Sequence, residues 1–376
     1  MNRLLKMTWI TGCLLLAFTR LQAGNCETAQ RVVTKNFTVL ENATLLIHNT
    51  FGAITISEWD KNEISFTVTI KATTKKQSTS QELVDKVVID FKQEKDLVSA
   101  ITNCPSQKGK CNCTYKIHYQ MSVPRNIHYD LINKYGDITM ENAAGNVNVS
   151  LMYGNFSGNE FGENSKINLS YGKISLKKLS GTKDELTVEY GKDITISEAK
   201  NLKINIKHST LSIRNVKQLS IENTHSDIEI SRTEKIQIVK SFYGNFEIGE
   251  VRELQSKDND SWYTKLEINR LTCAFSIVSL TYGKITVHNV MPSFENVDIT
   301  ATRSPIKMTL DAAIVSCQVE TQIKGGEFKI DAPKTNISPV WSKNPILVSA
   351  TFGDKEAPKA FIKIKTEDCK VNINQL

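Results

Sequence analysis

The sequence has little proline, few aromatic side chains and no long apolar run in its main part. Proline supplies 8 of 376 residues, aromatics make up 7%, and 47 Lys and Arg nearly balance 40 Asp and Glu. Beyond residue 23 no apolar run approaches the ~20 residues that a membrane-spanning helix needs, which argues against an integral helical membrane protein. Hydrophobic residues still make up 40% of the chain, which is enough for a packed core and excludes general disorder.

Residues 1–23 have the pattern of a secretory signal peptide. Arg3 and Lys6 precede an apolar stretch, and Ala23 places a small residue at the cleavage point. A lipoprotein signal that ends at Cys13 is the alternative. Cleavage after Ala23 lowers the net charge from +7 to +4, and these scattered charges argue against nucleic-acid binding. We therefore expect an exported protein, periplasmic or at the cell surface, with no transmembrane segment in the mature chain.

One short motif recurs along the chain at nearly constant spacing. It consists of a tyrosine, a glycine and, soon after, an apolar residue, and its copies begin at Tyr135, Tyr153, Tyr171, Tyr190, Tyr243 and Tyr282, with degenerate copies at His208 and His225. From Tyr135 to Tyr243 the spacings are 18, 18, 19, 18, 17 and 18 residues. An earlier copy begins at Phe51, and weaker copies lie near residues 262, 304, 325 and 352. Regular repetition of this length is typical of repeat architectures.

Within each repeat, apolar and polar residues alternate as they do in a strand. Ile167, Leu169 and Tyr171 alternate with polar residues, and Gly172 then shifts the phase before Ile174. Each repeat therefore predicts two short strands that meet at a Tyr-Gly corner, where the glycine is expected to accept a positive φ. Stacking of such repeats predicts an all-β fold, a β-solenoid or β-helix with coils of roughly 18–22 residues.

Residues 24–126 are rich in strands but lack the regular repeat. Alternation predicts strands at 44–49, 54–59, 63–71, 87–94, 97–102 and 115–123, and one short helix at 80–86 with Ser80 as its N-cap. Because solenoid ends expose strand edges, we expect residues 24–126 to form an N-terminal cap. Residues 127–376 then hold the β-solenoid repeats, and residues 340–376 are expected to close the far end.

These features together resemble a known family. Phe51-Gly52-Ala53-Ile54 followed by Trp59, a Gln-Glu-Leu helix and a series of Tyr-Gly-x-Ile units is similar to the bacterial "putative adhesin" domain family, which is related to the head GIN domain and is common in envelopes of the Bacteroides group. The resemblance covers roughly residues 40–330. It implies an exported β-solenoid without an established enzymatic activity, and it supplies no catalytic residues.

No catalytic, metal-binding or cofactor-binding motif is recognised in the sequence. His-Glu-x-x-His, Gly-x-Ser-x-Gly and Walker patterns are absent. Glycoside hydrolysis requires two placed carboxylates, whereas Glu141, Glu163, Glu189 and Glu222 are scattered without alignment between repeats. We expect no catalytic residues, no metal and no cofactor.

Cysteine usage fits an exported protein. Cleavage after Ala23 leaves seven cysteines, and export permits disulfides. Cys104, Cys111 and Cys113 are the disulfide candidates, because they lie in one polar loop. A zinc site with His118 or Cys26 as fourth ligand is the alternative.

The tyrosine column is the candidate binding site. Stacked repeats would place Tyr135, Tyr153, Tyr171 and Tyr190 above one another, and an exposed column of this kind would bind sugar rings or a peptide. Tyr171 shares its parity with Ile167 and Leu169, however, which instead favours a structural column that points inward or seals the corner. His208 and His225 would form a polar pair or share a metal. Trp262 and Trp341 are either exposed anchors or caps of irregular repeats.

The sequence thus predicts an exported, non-enzymatic β-solenoid that presents a repetitive surface to a glycan or an envelope protein, as an adhesin or binding protein. The alternatives are a structural or signalling component of the cell envelope and, third, a polysaccharide lyase or hydrolase.

Overall fold

A computed structural model describes residues 27–74, 77–105, 113–257, 261–332, 335–340, 345–353 and 358–376. In this part the chain is all-β, with twenty-six strands and one helix. Strand side chains point alternately to two faces, so that inward apolar residues of successive strands merge into one continuous core. The predicted signal peptide lies outside the described residues.

The N-terminal region contains seven strands and the helix. They are β1 (Glu27–Thr38), β2 (Thr44–Thr50), β3 (Ile54–Trp59), β4 (Glu63–Thr74), α1 (Gln77–Lys86), β5 (Val88–Glu94), β6 (Leu97–Asn103) and β7 (Thr114–Pro124). The predicted strands after residue 86 agree within about two residues, which is the usual uncertainty of element ends. The prediction of Ser80 as the helix N-cap is wrong. Ser80 lies inside α1, and its buried hydroxyl donates to the Glu27 carbonyl at 2.7 Å.

The regular repeats follow in fifteen strands. They are β8 (His128–Lys134), β9 (Ile138–Met140), β10 (Asn142–Ala143), β11 (Val147–Met152), β12 (Phe156–Phe161), β13 (Ser165–Leu179), β14 (Asp184–Lys207), β15 (Thr210–Thr224), β16 (Asp227–Phe242), β17 (Asn245–Ser256), β18 (Ser261–Trp262), β19 (Lys265–Thr281), β20 (Lys284–Val290), β21 (Asn296–Thr302) and β22 (Ile306–Leu310). The last four strands are β23 (Ser316–Asp331), β24 (Thr335–Val340), β25 (Ile346–Gly353) and β26 (Phe361–Gln375).

Successive repeats pair in parallel and in register. Val149 of β11 faces Ile167 of β13, and Ile167 faces Leu186 of β14. Further along, Leu266 of β19 faces Ile285 of β20. Each strand thus hydrogen-bonds to the equivalent strand of the next repeat, so that like residues form continuous rows across the sheet.

The early copy of the motif belongs to the same series of strands. β2 pairs in parallel with β8, and β3 pairs in parallel with β9. The corner at Phe51 therefore lies directly beside the corner at Tyr135. Between these two corners the chain forms the antiparallel pairs β4 with β7 and β5 with β6, and β1, which precedes Phe51, pairs antiparallel with β4.

The C-terminal strands depart from chain order. β26 pairs in parallel with β21 and β22 on one side and with β23 on the other. The last strand thus lies inside the sheet, while β25 and β24 continue it in antiparallel pairs beyond β23. Parallel pairing on both edges satisfies the backbone groups of β26. The expectation that residues 340–376 close the far end stays a prediction.

Long strands that bend at a corner also close a ring of pairings. β19 pairs with β20, β20 with β22, β22 with β26, β26 with β21, and β21 with β19. These five parallel strands enclose apolar side chains, including Phe275 and Ile299, which are fully buried.

Helix α1 spans 10 residues, and no helix in the described part of the chain is long and apolar enough to cross a membrane.

Candidate binding surface

Ten aromatic rings stack in one continuous row at the corners of successive repeats. We call this row the ring ladder, and its members are Phe51, Tyr135, Tyr153, Tyr171, Tyr190, His208, His225, Tyr243, Tyr263 and Tyr282. Neighbouring centroids are 4.6–5.4 Å apart and the ring planes differ by at most 18°. The spacing matches the ~4.8 Å between adjacent strands, so parallel in-register pairing brings the rings together.

The backbone turns at the ring residues and not at the glycines that follow them. Every member of the ring ladder has a positive φ, between 48° and 67°, whereas Gly172 does not. Tyr171 therefore does not follow the alternation of Ile167 and Leu169, because side chains alternate between the two faces of a sheet only where the backbone is extended. A left-handed L-residue costs about 1 kcal/mol, and an aromatic pair contributes ~0.5–1.5 kcal/mol. Ring stacking thus offsets the strain of the corner.

The glycines are required by close packing between repeats. A Cβ on Gly172 would lie 1.8 Å from the carbonyl oxygen of Gly154, and one on Gly154 would lie 2.1 Å from that of Gly136. Neither distance is compatible with a side chain. The expectation that glycine is needed for a positive φ at these corners is therefore wrong, and its role is to allow backbone to approach backbone.

Four repeats replace this glycine with a hydroxyl residue. Ser209, Ser226, Thr264 and Ser304 are all buried. The Oγ of Ser209 accepts the backbone N–H of Gly191 at 2.8 Å, and the Oγ of Ser304 accepts that of Gly283 at 2.8 Å. A hydrogen bond to the neighbouring repeat thus satisfies the buried hydroxyl, which explains how His208 and His225 occupy degenerate copies of the motif.

The rings of the ladder are exposed at their edges. The predicted site residues Tyr135, Tyr153, Tyr171 and Tyr190 are 44–48% exposed, so the column does not point into the core. Because each ring is stacked on its neighbours, the accessible surface consists of ring edges and phenol hydroxyls. The Arg303 guanidinium covers the last ring, 5.4 Å from the centroid of Tyr282. Phe51 and Tyr263 lie in the early and the weaker copies of the motif that the sequence shows, and the structure adds both rings to the row.

Charged residues beside the ring ladder pair across repeats. Lys207 Nζ lies 3.0 Å from Glu189, and Lys173 Nζ donates to Asp193 at 2.6 Å. The hydrogen bond and charge of Lys173 lower the pKa of Asp193. Solvent screens these exposed pairs, so they contribute little to stability. They place alternating charge, and not one continuous sign, along the ring ladder.

A shallow groove of about 690 Å³ runs along the strands that follow the corners. Its lining includes Glu229, Glu247 and Glu267, which stand in register on three adjacent strands. The expectation that no acids align between repeats is therefore wrong for this row. Glu267 contacts His288 at 2.8 Å. In the described part of the chain, no group of three or more His, Cys, Asp or Glu is arranged to hold a metal ion.

The structure describes only some of the cysteines that the sequence offers as disulfide or zinc candidates. Cys111, Cys26 and Trp341 lie outside the described residues. Cys113 is buried, and burial raises the pKa of the half-buried Cys104 thiol to about 11. The Nδ1 of His118, the alternative zinc ligand, accepts the backbone N–H of Ala53 at 3.1 Å. The disulfide prediction therefore stays a prediction.

Comparison with known proteins gives only distant likenesses. No family model matches the chain, and no curated protein matches it. Among solved structures, a "putative cell adhesion protein" from Clostridium sporogenes is 10% identical and covers 93% of this chain and 100% of its own, with a TM-score of 0.18. A "putative lipid binding protein" from Parabacteroides distasonis is 12% identical over 91% and 96% of the two chains, with a TM-score of 0.23. A "putative adhesin" from Bacteroides fragilis is 11% identical over 92% and 97%, with a TM-score of 0.18. TM-scores this low establish no function.

Proposed function

We propose that this chain is an exported, non-enzymatic β-solenoid that binds an extended glycan along its ring ladder. The parallel, in-register pairing of repeats at a nearly constant offset supports the solenoid. The residue pattern of 1–23 supports export. The observation that carries the binding role is the unbroken row of exposed rings, because soluble proteins rarely leave so many aromatic side chains in contact with water without a binding function.

The chemistry of the row favours a ligand rich in hydroxyls. Stacking covers the ring faces, so a cation has no free face to approach and cation–π recognition is disfavoured. The phenol of each tyrosine is both donor and acceptor, and one phenol recurs in most repeats at the strand spacing. A linear glycan carries hydroxyls on every sugar unit, at a spacing comparable to that of the phenols. Its C–H groups interact only weakly with ring edges, because both carry partial positive charge. Hydrogen bonds to the phenols are therefore expected to supply the specificity.

A phenylalanine variant of the ladder tests this proposal. Tyr135, Tyr153 and Tyr171 are replaced together by Phe, which keeps the stack and removes three hydroxyls. Isothermal titration against neutral and acidic soluble polysaccharides should show at least tenfold weaker binding than wild type, with an unchanged melting temperature. Absence of binding by the wild-type chain to every polysaccharide of the panel would contradict the proposal. Fractionation of expressing cells, with mass spectrometry of the mature N-terminus, tests export.

A polysaccharide hydrolase is the second candidate, because of the groove. Glu229 and Glu247 face one another on adjacent strands, at about the strand spacing of ~4.8 Å, which approaches the separation of ~5–5.5 Å in retaining glycosidases. All of these carboxylates are exposed, however, and lack the apolar surroundings that keep a general acid protonated. Release of reducing ends that is abolished in Glu247→Gln would favour the enzyme.

A further inference from the structure

One exposed aromatic ring beside the ring ladder is left without a partner. Trp262 immediately precedes the ladder residue Tyr263, and it pairs in register with Phe242, which precedes Tyr243. The indole is 39% exposed. Within the described part of the chain no ring stacks on it, no cation lies over it, and its Nε1–H has no hydrogen-bond acceptor.

The aromatic side chains nearest in kind to Trp262 are covered, and the exposed Phe361 has no polar donor. The Nε1–H of Trp59 donates to the Glu63 carbonyl at 2.7 Å, and Lys61 Nζ lies 4.7 Å from its ring. Lys240 Nζ lies 5.0 Å from the ring of Phe242, and the ladder rings cover one another. Trp262 thus differs from these in offering both an open face and a free donor.

The neighbours of Trp262 explain why the ring is open. On one side its row continues with Phe242, and on the other with Thr281. A threonine is too small to cover an indole, so the face of Trp262 on that side stays accessible. Exposed indoles with a free N–H are enriched where a ligand supplies the missing contacts.

The surroundings favour a sugar over a protein surface. In other repeats the same row carries Ser170, Glu189, Lys207 and Thr224, so the apolar patch is confined to Trp262 and the neighbouring Phe242. The centre of a protein interface is instead a broader apolar area with a polar rim. A pyranose has one apolar C–H face and a rim of hydroxyls, which matches one open ring beside a row of phenols.

We propose that Trp262 is the ring-stacking subsite of the glycan that the ring ladder binds, so that one neutral pyranose packs on the indole while its hydroxyls reach the phenols of Tyr243 and Tyr263. This inference rests on the proposed function. It places one sugar of the bound glycan beside Tyr243 and Tyr263, within the longer row of phenols on which the proposed function depends.

Substitutions at one row of the sheet test the subsite. Trp262→Ala removes the ring, and Trp262→Phe keeps an aromatic face but removes the N–H. Met152→Ala is the matched control, because Met152 occupies the equivalent position before Tyr153 and is 40% exposed. The probes are hexasaccharides of β-linked glucose, N-acetylglucosamine and xylose, titrated into the purified chain and followed by calorimetry and tryptophan fluorescence.

We expect binding of at least one hexasaccharide to weaken at least tenfold in Trp262→Ala and less than threefold in Trp262→Phe and Met152→Ala. The wild-type fluorescence change should be absent in Trp262→Phe. Wild-type affinity in Trp262→Ala, together with loss in the ladder variant, overturns the subsite and leaves the proposed function standing. No binding by the wild type overturns both. If Trp262→Ala no longer cross-links to a protein partner of the wild type but binds glycan as the wild type does, the subsite is overturned in favour of a protein ligand.

Discussion

The rings of His208 and His225 stack face to face, with centroids 5.0 Å apart and planes 18° from parallel. They replace tyrosines in the middle of the ring ladder, with Tyr190 on one side and Tyr243 on the other. Two charged residues close to them in sequence have partners in other repeats, Lys207 with Glu189 and Asp227 with Asn245. The two imidazoles are therefore left to interact with each other and with the flanking phenols.

A methyl group at Gly172 should strongly destabilise the repeats. Its Cβ would lie 1.8 Å from the Gly154 carbonyl oxygen, whereas a Cβ on Gly162 would meet Ala144 at 3.3 Å. We expect Gly172→Ala to lower the free energy of unfolding by at least ~2 kcal/mol and Gly162→Ala by less than ~1 kcal/mol, measured by urea denaturation. A Gly172→Ala variant as stable as Gly162→Ala would refute the close approach.

His118 should make stability depend on pH. Partial burial, with the nearby Lys116 and Lys71, lowers the pKa of His118 below its usual range. Protonation therefore favours the unfolded chain, and the contribution of this residue to stability should be lost as pH falls below the unfolded value of ~6.5. His118→Gln removes this proton uptake, so its melting temperature should decline less than that of wild type between pH 7.5 and pH 5.5. An unchanged decline would contradict the expectation.

Cys317 should be an inert thiol in the folded protein. Burial raises its pKa to about 12, and its side chain is fully buried, whereas Cys273 is partly exposed. Because the thiolate is the reactive form, iodoacetamide at pH 8 should modify Cys273 first and Cys317 only after unfolding. Peptide mass spectrometry measures both rates, and equal rates in the native protein would refute the prediction.

Much of the architecture was accessible from the sequence because it is locally encoded. Alternation of apolar residues predicted the strands of the N-terminal region except β1, and the spacing of Tyr135, Tyr153, Tyr171 and Tyr190 predicted that their side chains align. These features depend on short-range periodicity, which burial against one core imposes on every strand.

The direction of the rings was not accessible in the same way. The parity of Tyr171 with Leu169 pointed inward, but parity holds only for extended backbone, and the positive φ of Tyr171 turns the ring out. Likewise, the alignment of Glu229 with Glu247 depends on the register between repeats of unequal length. The sequence left Trp262 as either an exposed anchor or a cap, and only the structure shows that its side chain is 39% exposed.

The sequence by itself determined an all-β chain with a recurring corner and a row of aromatic residues, because each strand carries its own alternation and each corner its own glycine or small hydroxyl residue. Only the tertiary structure decided that the rings face solvent edge-on, that the Phe51 corner lies beside Tyr135, and that β26 lies between β22 and β23. These depend on which distant edges pair, and pairing is set by the hydrogen-bonding needs and packing of the whole sheet, which no local pattern contains.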